Sequence, residues 1–480
     1  MNTIDIKPVA NTGTGAFPKS LLDYFGSFER MNATSRSDIE ELQLTVLKKR
    51  FESLRNNVPT LKKLADAQRV DEVNTFDDVV SLLFSHTVYK SYPISLLEKN
   101  RFTQLTKWLQ KLCITDLSGV DVSHCQGIDE WFVEMDRQTP LTLRHSSGTT
   151  GAMSFIPRTA RETEEYFLNL LFQVFGVAKT PGPTRENPIS MHVVLPTYRS
   201  GNYGTLRTNT HYLKYVAGGD ESKMHVLYPR HQSSDMLFLA GRIAAAKANG
   251  ELEKLELSPT LLARKAEFES IQKDMGNDLE KFMADIVNNL KGQKVYAMVL
   301  SNQLSNLSSA GLSKGLSNIF HPDSVLMTGG GAKGQALPPD WKDEAKKFFG
   351  VSEIVHTYGM SELMAAHNMC SHGRYHASNS AILFVLDPDT GAALPRKGVR
   401  TGRAAFFDLM ADTYWGGFVT GDEITVDWDT PCPCGIKSAH IAPQIERYSA
   451  KRGGDDKITC AAAAEAHDEA LYYLTESAVI

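Results

Sequence analysis

From about residue 140 to about residue 430 the chain alternates between two kinds of apolar pattern, and nothing else in the sequence limits its fold as strongly. Short β-rich runs occur at Ile189–Leu195, Val295–Leu300, Val325–Met327, Ile354–His356 and Ala381–Leu386. Between and around them lie stretches with apolar residues at helical spacing: Thr163–Phe175, Asp235–Asn249, Leu279–Leu290 and Trp341–Phe349. A strand reached from its predecessor through a helix runs parallel to it, so the pattern predicts α/β layers built on mostly parallel sheets.

The flanks read differently. Residues 1–130 are expected to form a mostly helical region. Ser37-Asp-Ile-Glu40 has the form of a capping box, and Leu44, Leu47, Phe51 and Leu54 follow at helical spacing. Helical patterning continues at Leu61–Val70, Asp77–Phe84 and Thr103–Leu112. Residues 131–445 form the α/β core, with a small β-rich unit from about 380. Residues 446–480 read as a hinge-like segment and a short, alanine-rich helical tail.

Composition narrows the class. The hydrophobic share of 42% and charged share of 22% suit a globular protein with a large core. A net charge of -5 gives no reason to expect nucleic acid or an anionic membrane surface as partner. No apolar run approaches the ~18 residues of a membrane-spanning helix. The polar N-terminus is unlike a signal peptide, and six cysteines in 480 residues do not make a disulfide scaffold. The expectation is a cytoplasmic protein whose cysteines serve as core, metal ligand or nucleophile.

The first chemical motif is Ser146-Ser147-Gly148-Thr149-Thr150-Gly151. Hydroxyl groups and bare backbone N–H groups converge there, as a polyphosphate requires, although a solvated turn has a similar composition. It is not a Walker loop, since no lysine follows Gly151. A second run, Thr328-Gly329-Gly330-Gly331-Ala-Lys-Gly334, matches a dinucleotide fingerprint in letters, with Glu353 downstream. Pro338 and Pro339 intervene before the helical pattern at Trp341, so it reads instead as a turn that lets backbone approach a flat ligand. Two further segments end in carboxylates. His356-Thr-Tyr358-Gly359-Met-Ser-Glu362 offers an aromatic for stacking and an acid for Mg²⁺. Trp415-Gly-Gly-Phe-Val-Thr-Gly-Asp422 offers an acid for ribose hydroxyls.

In this order the segments resemble the adenylate-forming superfamily of acyl-CoA synthetases, luciferases and peptide-synthetase adenylation domains. Within it the chain is most similar to the branch of phenylacetate-CoA ligases and bacterial acyl-protein synthetases. The resemblance covers residues 40–480. It implies the large α/β domain of that fold, ATP and Mg²⁺ as requirements, and a carboxylic acid, fatty or aryl, as substrate. It implies that Ser146 to Gly151 hold phosphates, that Gly329, Gly330 and Gly331 flank adenine, and that Tyr358, followed by Gly359, stacks on it. Glu362 would bind Mg²⁺, Asp422 the ribose with Arg447 or Arg452, and His145 with His192 to Tyr198 the acid. The chain departs from the family in carrying Ser154 where many members have lysine, and in lacking room after Arg447 for the usual C-terminal lid.

Cys460, in Lys457-Ile-Thr-Cys460 before Ala461-Ala-Ala-Ala464, matches the cysteine that accepts the acyl group in the acyl-protein synthetases. A helix N-terminus favours a thiolate there. Transfer onward would need an acyl reductase or another acyl-accepting protein. Cys370, His376, Cys432 and Cys434 would satisfy tetrahedral Zn²⁺ in a structural role. Three readings stand at this stage: an acyl-protein synthetase with Cys460, Glu362 and His145 as catalytic residues, a phenylacetate-type CoA ligase, and an inactive nucleotide-binding scaffold.

Overall fold

A computed structural model describes residues 21–146, 152–248, 250, 277–330 and 337–451. The N-terminal part is helical, with long helices at Arg36–Leu54, Pro59–Gln68 and Phe102–Gln110. The first of these is capped by Ser35, whose hydroxyl accepts from the Asp38 N–H at 3.2 Å. The helix N-cap is therefore Ser35, two residues before the Ser37 at which a capping box was expected. Glu40 is turned to Arg36 and Arg396 instead, at 2.9 and 2.8 Å. Asp77–Leu82 forms a 3₁₀ turn rather than an α-helix and leads into a two-residue strand, β1 (Phe84–Ser85).

A short hairpin follows, β2 (Arg144–His145) against β3 (Phe155–Ile156), antiparallel. Beyond it, β4 (His192–Gly201), β5 (Met224–Gln232), β6 (Val295–Leu300), β7 (Val325–Gly329), β8 (Ile354–Tyr358) and β9 (His367–Asn368) make a six-stranded sheet in the order β5-β4-β6-β7-β8-β9. All its pairs are parallel except β8 with β9. Side-chain alternation splits this sheet between two cores. Val193, Leu195, Tyr296 and Val325 pack with Phe167, Leu171 and Phe175 of the helix Ala160–Val177. Val194, Val295, Ala297 and Leu326 pack on the other face with Leu304, Trp341 and Phe348. That is the period-2 logic of a strand buried on both sides.

The second sheet is antiparallel: β10 (Tyr375–His376), β11 (Ala381–Leu386), β12 (Val399–Asp408), β13 (Gly417–Asp427), β14 (His440–Ile441) and β15 (Glu446–Arg447). β1 joins it, parallel to β13. Ala381–Leu386 thus belongs to an antiparallel sheet and not to the parallel one its apolar run suggested, because an unbroken apolar strand is also what a sheet covered on both faces requires. Its two faces lie in different cores. Ile382 and Phe384 pack with Leu47, Phe51 and Trp108 of the N-terminal helices. Leu383 and Val385 pack with Phe406, Phe418 and Ile441.

Candidate nucleotide and acid site

The carboxyl ends of β7 and β8 lie side by side, and two predicted motifs sit there. A Cβ on Gly329 would come within 2.7 Å of the Thr357 carbonyl oxygen, and Gly330 has φ +75. Both positions thus need glycine for the backbone itself, and the same feature leaves the main chain bare at the sheet edge. Tyr358 ends β8, with Gly359 in the turn after it. The Tyr358 hydroxyl donates to Asp422 Oδ2 at 2.9 Å, and Arg447 Nε contacts Asp422 Oδ1 at 3.0 Å. Pairing of β13 with β15 sets Asp422 opposite Arg447. Burial, and then the Asp422 carboxylate, hold the Tyr358 phenol well above its usual range, so it stays a donor. Three residues far apart in sequence form one hydrogen-bonded chain across two sheets.

Glu362 lies three residues past Gly359, at the mouth of the β2–β3 hairpin. Ser146 and Ser154 close that mouth: the Ser146 N–H donates to the Ser154 carbonyl at 3.1 Å and the Ser154 N–H to Ser146 Oγ at 2.9 Å. The Ser154 hydroxyl also bonds Glu362. Burial raises the Glu362 pKa, while the Ser154 bond and the charges of Arg158 and Lys90 act against the rise. Arg158, just past β3, donates from Nη2 to the Ser361 carbonyl at 2.8 Å and from Nε to Tyr414 Oη at 3.1 Å, tying the Glu362 segment to the hairpin. Glu362 offers a hard oxygen ligand beside the place where phosphates would arrive, which fits Mg²⁺ held by one carboxylate and substrate oxygens.

Ser147, Gly148, Thr149, Thr150, Gly151, Gly331, Arg452 and Cys460 lie outside the described residues. His145 is buried with both ring nitrogens engaged, Nδ1 with the Ser146 carbonyl at 2.8 Å and Nε2 with Ser234 Oγ at 3.2 Å. Burial lowers its pKa to about 4, so it is a neutral support for the hairpin base. His192 begins β4, whose carboxyl end at Gly201 faces the site. It sits roughly 30 Å of strand away, bonded to His225 at 3.0 Å, and is not brought together with His145. The motifs gave no sign of Arg158, Lys90 or Tyr203, whose hydroxyl feels the Glu362 charge. The Ile-Pro-Arg158 stretch just after the loop was the available hint.

The Cys/His quartet assembles. Cys370, His376, Cys432 and Cys434 place one ligand atom each within 4.8 Å of all the others. Cys370 and Cys432 sulfurs are 3.8 Å apart, and Cys434 Sγ lies 3.1 Å from His376 Nε2. Tetrahedral Zn²⁺ with Zn–S bonds of about 2.3 Å spaces sulfurs by ~3.8 Å and sulfur from nitrogen by ~3.5 Å, so the donors fit. The second nitrogen of His376 meets Ser438 Oγ at 3.4 Å, as an orienting partner would.

Against solved structures, the chain is similar to 2-hydroxyisobutyryl-CoA ligase in an open conformation in complex with 2-HIB-AMP and CoA. The TM-score is 0.51 at 10% identity, over 93% of this chain and 75% of that one. The same ligase in the postadenylation state with R3-HIB-AMP gives 0.51 at 10% identity, over 93% and 73%. The chain has the adenylate-forming ligase fold. No protein-family model matches it, and no curated protein matches its sequence. No helix among the described residues is long and apolar enough to cross a membrane.

Proposed function

We propose that the protein activates a carboxylic acid with ATP and passes the acyl group to a thiol. The observation that carries this reading is the Tyr358–Asp422–Arg447 chain standing beside Gly329 and Gly330, with Glu362 at the mouth of the loop hairpin. Asp422 and Arg447 would grip ribose, Tyr358 would present its ring to adenine, and the 146–151 loop would hold phosphates. Mg²⁺ on Glu362 would offset phosphate charge.

The acid's carboxylate oxygen attacks the α-phosphorus of ATP. A P–O bond forms, the bond to pyrophosphate breaks, and acyl-AMP results. A thiolate then attacks the acyl carbonyl and AMP leaves with the electron pair of the broken C–O bond. Cys460 is the proposed thiol, and an acyl reductase or similar protein the proposed recipient. Intact-mass measurement after incubation with ATP, Mg²⁺ and a panel of acids tests this. Wild type should gain one acyl mass that hydroxylamine removes. Cys460→Ser should still release pyrophosphate but retain no acyl group. Equal labelling of Cys460→Ser, or steady turnover driven by coenzyme A alone, would establish a CoA ligase instead.

A further inference from the structure

Glu362 occupies the third position of a tight turn, closed by the Leu363 N–H on the Met360 carbonyl at 3.2 Å. Peptide groups on either side of it meet buried charges of opposite sign. The Ser361 carbonyl accepts from Arg158 Nη2 at 2.8 Å, and the Met364 N–H donates to Asp408 Oδ2 at 2.6 Å. Arg158 is 1% exposed and Asp408 0%. The Ser361 carbonyl belongs to the same planar peptide as the Glu362 N–H, and that N–H bonds the Glu362 carboxylate itself. Arg158 therefore sets the plane of the peptide on which the carboxylate leans.

Both charges are anchored in turn. Arg158 Nε donates to Tyr414 Oη at 3.1 Å, and Asp408 Oδ1 accepts from the Met410 N–H at 3.0 Å. Met410 and Tyr414 lie in the segment that follows β12. Arg50 Nε holds that segment at the Leu409 carbonyl, 3.1 Å away. Glu162, in the first turn of the helix Ala160–Val177, accepts from the N–H groups of Asp412 and Thr413 at 2.9 and 3.1 Å. It also accepts from the Thr159 N–H at 2.8 Å, one residue past Arg158. The hairpin side and the β12 side thus form one frame around the turn. Burial pushes the Asp408 carboxyl up, and the Arg158 charge acts against that rise. Buried charges of opposite sign are weak evidence for stability, since apolar groups of similar volume often serve the fold as well or better. What charged groups add is strong hydrogen bonds of fixed direction. Here both are directed at the peptides that flank one carboxylate.

We propose that Arg158 and Asp408 are positioning residues for Glu362. They fix its turn so that the carboxylate already has its binding geometry when a divalent cation arrives with the nucleotide. Neither need touch a substrate; both act through the backbone. Mg²⁺ demands near-ideal ligand geometry, so a carboxylate on a loosened turn would hold it more weakly. The proposal rests on the reading of Glu362 as the Mg²⁺ ligand of an adenylating enzyme.

Titration calorimetry with ATP on the full chain, with and without Mg²⁺ and with no acid present, reads the state of Glu362 without catalysis. Wild type should bind ATP at least about tenfold more tightly with Mg²⁺, and Glu362→Gln should lose most of that gain. Arg158→Lys keeps a charge near Asp408 but not the fork that reaches Tyr414 and Ser361 together. It should cut the Mg²⁺-dependent gain by about fivefold or more, while ATP binding without Mg²⁺ stays within about twofold of wild type. Asp408→Asn, which leaves one acceptor for two N–H groups, should behave likewise and carries the test if Arg158→Lys does not fold. A wild-type Mg²⁺-dependent gain in the folded variants would overturn this proposal and leave the adenylating reading standing. Equal loss of ATP binding with and without Mg²⁺ would show a general structural role and overturn it too. No Mg²⁺-dependent gain in wild type, or a full gain in Glu362→Gln, would overturn the metal role of Glu362 and this proposal together.

Discussion

Asp129 and Asp235 show what single side chains contribute near the site. Each begins a helix and caps the other's: Asp235 accepts from the Ile128 N–H at 2.7 Å, and Asp129 from the Ser234 N–H at 2.8 Å. Burial, and then the Asp129 charge, raise Asp235 from the ordinary 3.8 to about 7, whereas Asp129 is lowered. A carboxyl whose pKa is raised on folding stabilises the fold while protonated, so its contribution is complete below about pH 4 and is lost as pH rises through about 7. Thermal melts should therefore show stability falling between about pH 4 and 7 and levelling off above that. Asp235→Asn, which keeps an N–H donor toward Asp129, should flatten that slope and be at least as stable as wild type at pH 8. An unchanged slope in the variant would show that the pair does not titrate in this range. None of this was legible in the sequence. Asp129 and Asp235 look like ordinary first-turn acids, and only the crossing of the two helices couples them. Glu362, Tyr358 and Asp422 each sit in a short motif with its own turn chemistry, whereas Arg447 was expected only through the family resemblance. Lys90 and Arg158 carry no such local mark.

At the level of elements, the junction between the two sheets matters most. Cys370 follows β9 of the parallel sheet, His376 belongs to β10 of the antiparallel one, and Cys432 and Cys434 lie between β13 and β14. A metal held by these four would fasten the β8–β9 edge that carries Tyr358 to the sheet that carries Asp422. Protein prepared without chelator should contain about one equivalent of zinc by elemental analysis. Replacing Cys432 and Cys434 by serine should remove the metal and lower the melting temperature, because the binding energy of a structural zinc contributes to folding. Metal-free wild-type protein with an unchanged melting temperature would rule the site out. The element pattern in sequence was sound for β6, β7 and β8, where strand and helix alternate. It missed β5, whose run from Met224 to Gln232 mixes histidine, proline and arginine among its apolar residues. Half-exposed edge strands give a weak hydrophobic signal.

Across the whole molecule, the N-terminal helices do not bury a core of their own. Leu47, Phe51, Leu83 and Trp108 share one with Ile382, Phe384, Phe407 and Trp415, at the other end of the chain. Trp415 fixes the union: its indole N–H donates to the Leu82 carbonyl at 2.8 Å, and its own carbonyl accepts from the Tyr89 hydroxyl at 3.0 Å. Sequence patterning reads residues 1–130 as a mostly helical region but cannot show this sharing, because contacts over three hundred residues leave no periodic trace. Trp415→Ala should cost about 3–5 kcal/mol in denaturant unfolding. The N-terminal helices and the antiparallel sheet should unfold in a single transition, and two resolved transitions for them would contradict the shared core.

The central claim is that this architecture forms an acyl-adenylate, and ATP–pyrophosphate exchange over a panel of acids measures that step without reference to the final acceptor. Wild type should exchange in an acid-dependent and Mg²⁺-dependent manner. Glu362→Gln should lower the rate on the order of 10²-fold or more, through loss of the metal-positioning carboxylate. Acid-independent exchange, no exchange with any acid, or a near-normal rate in Glu362→Gln would contradict it.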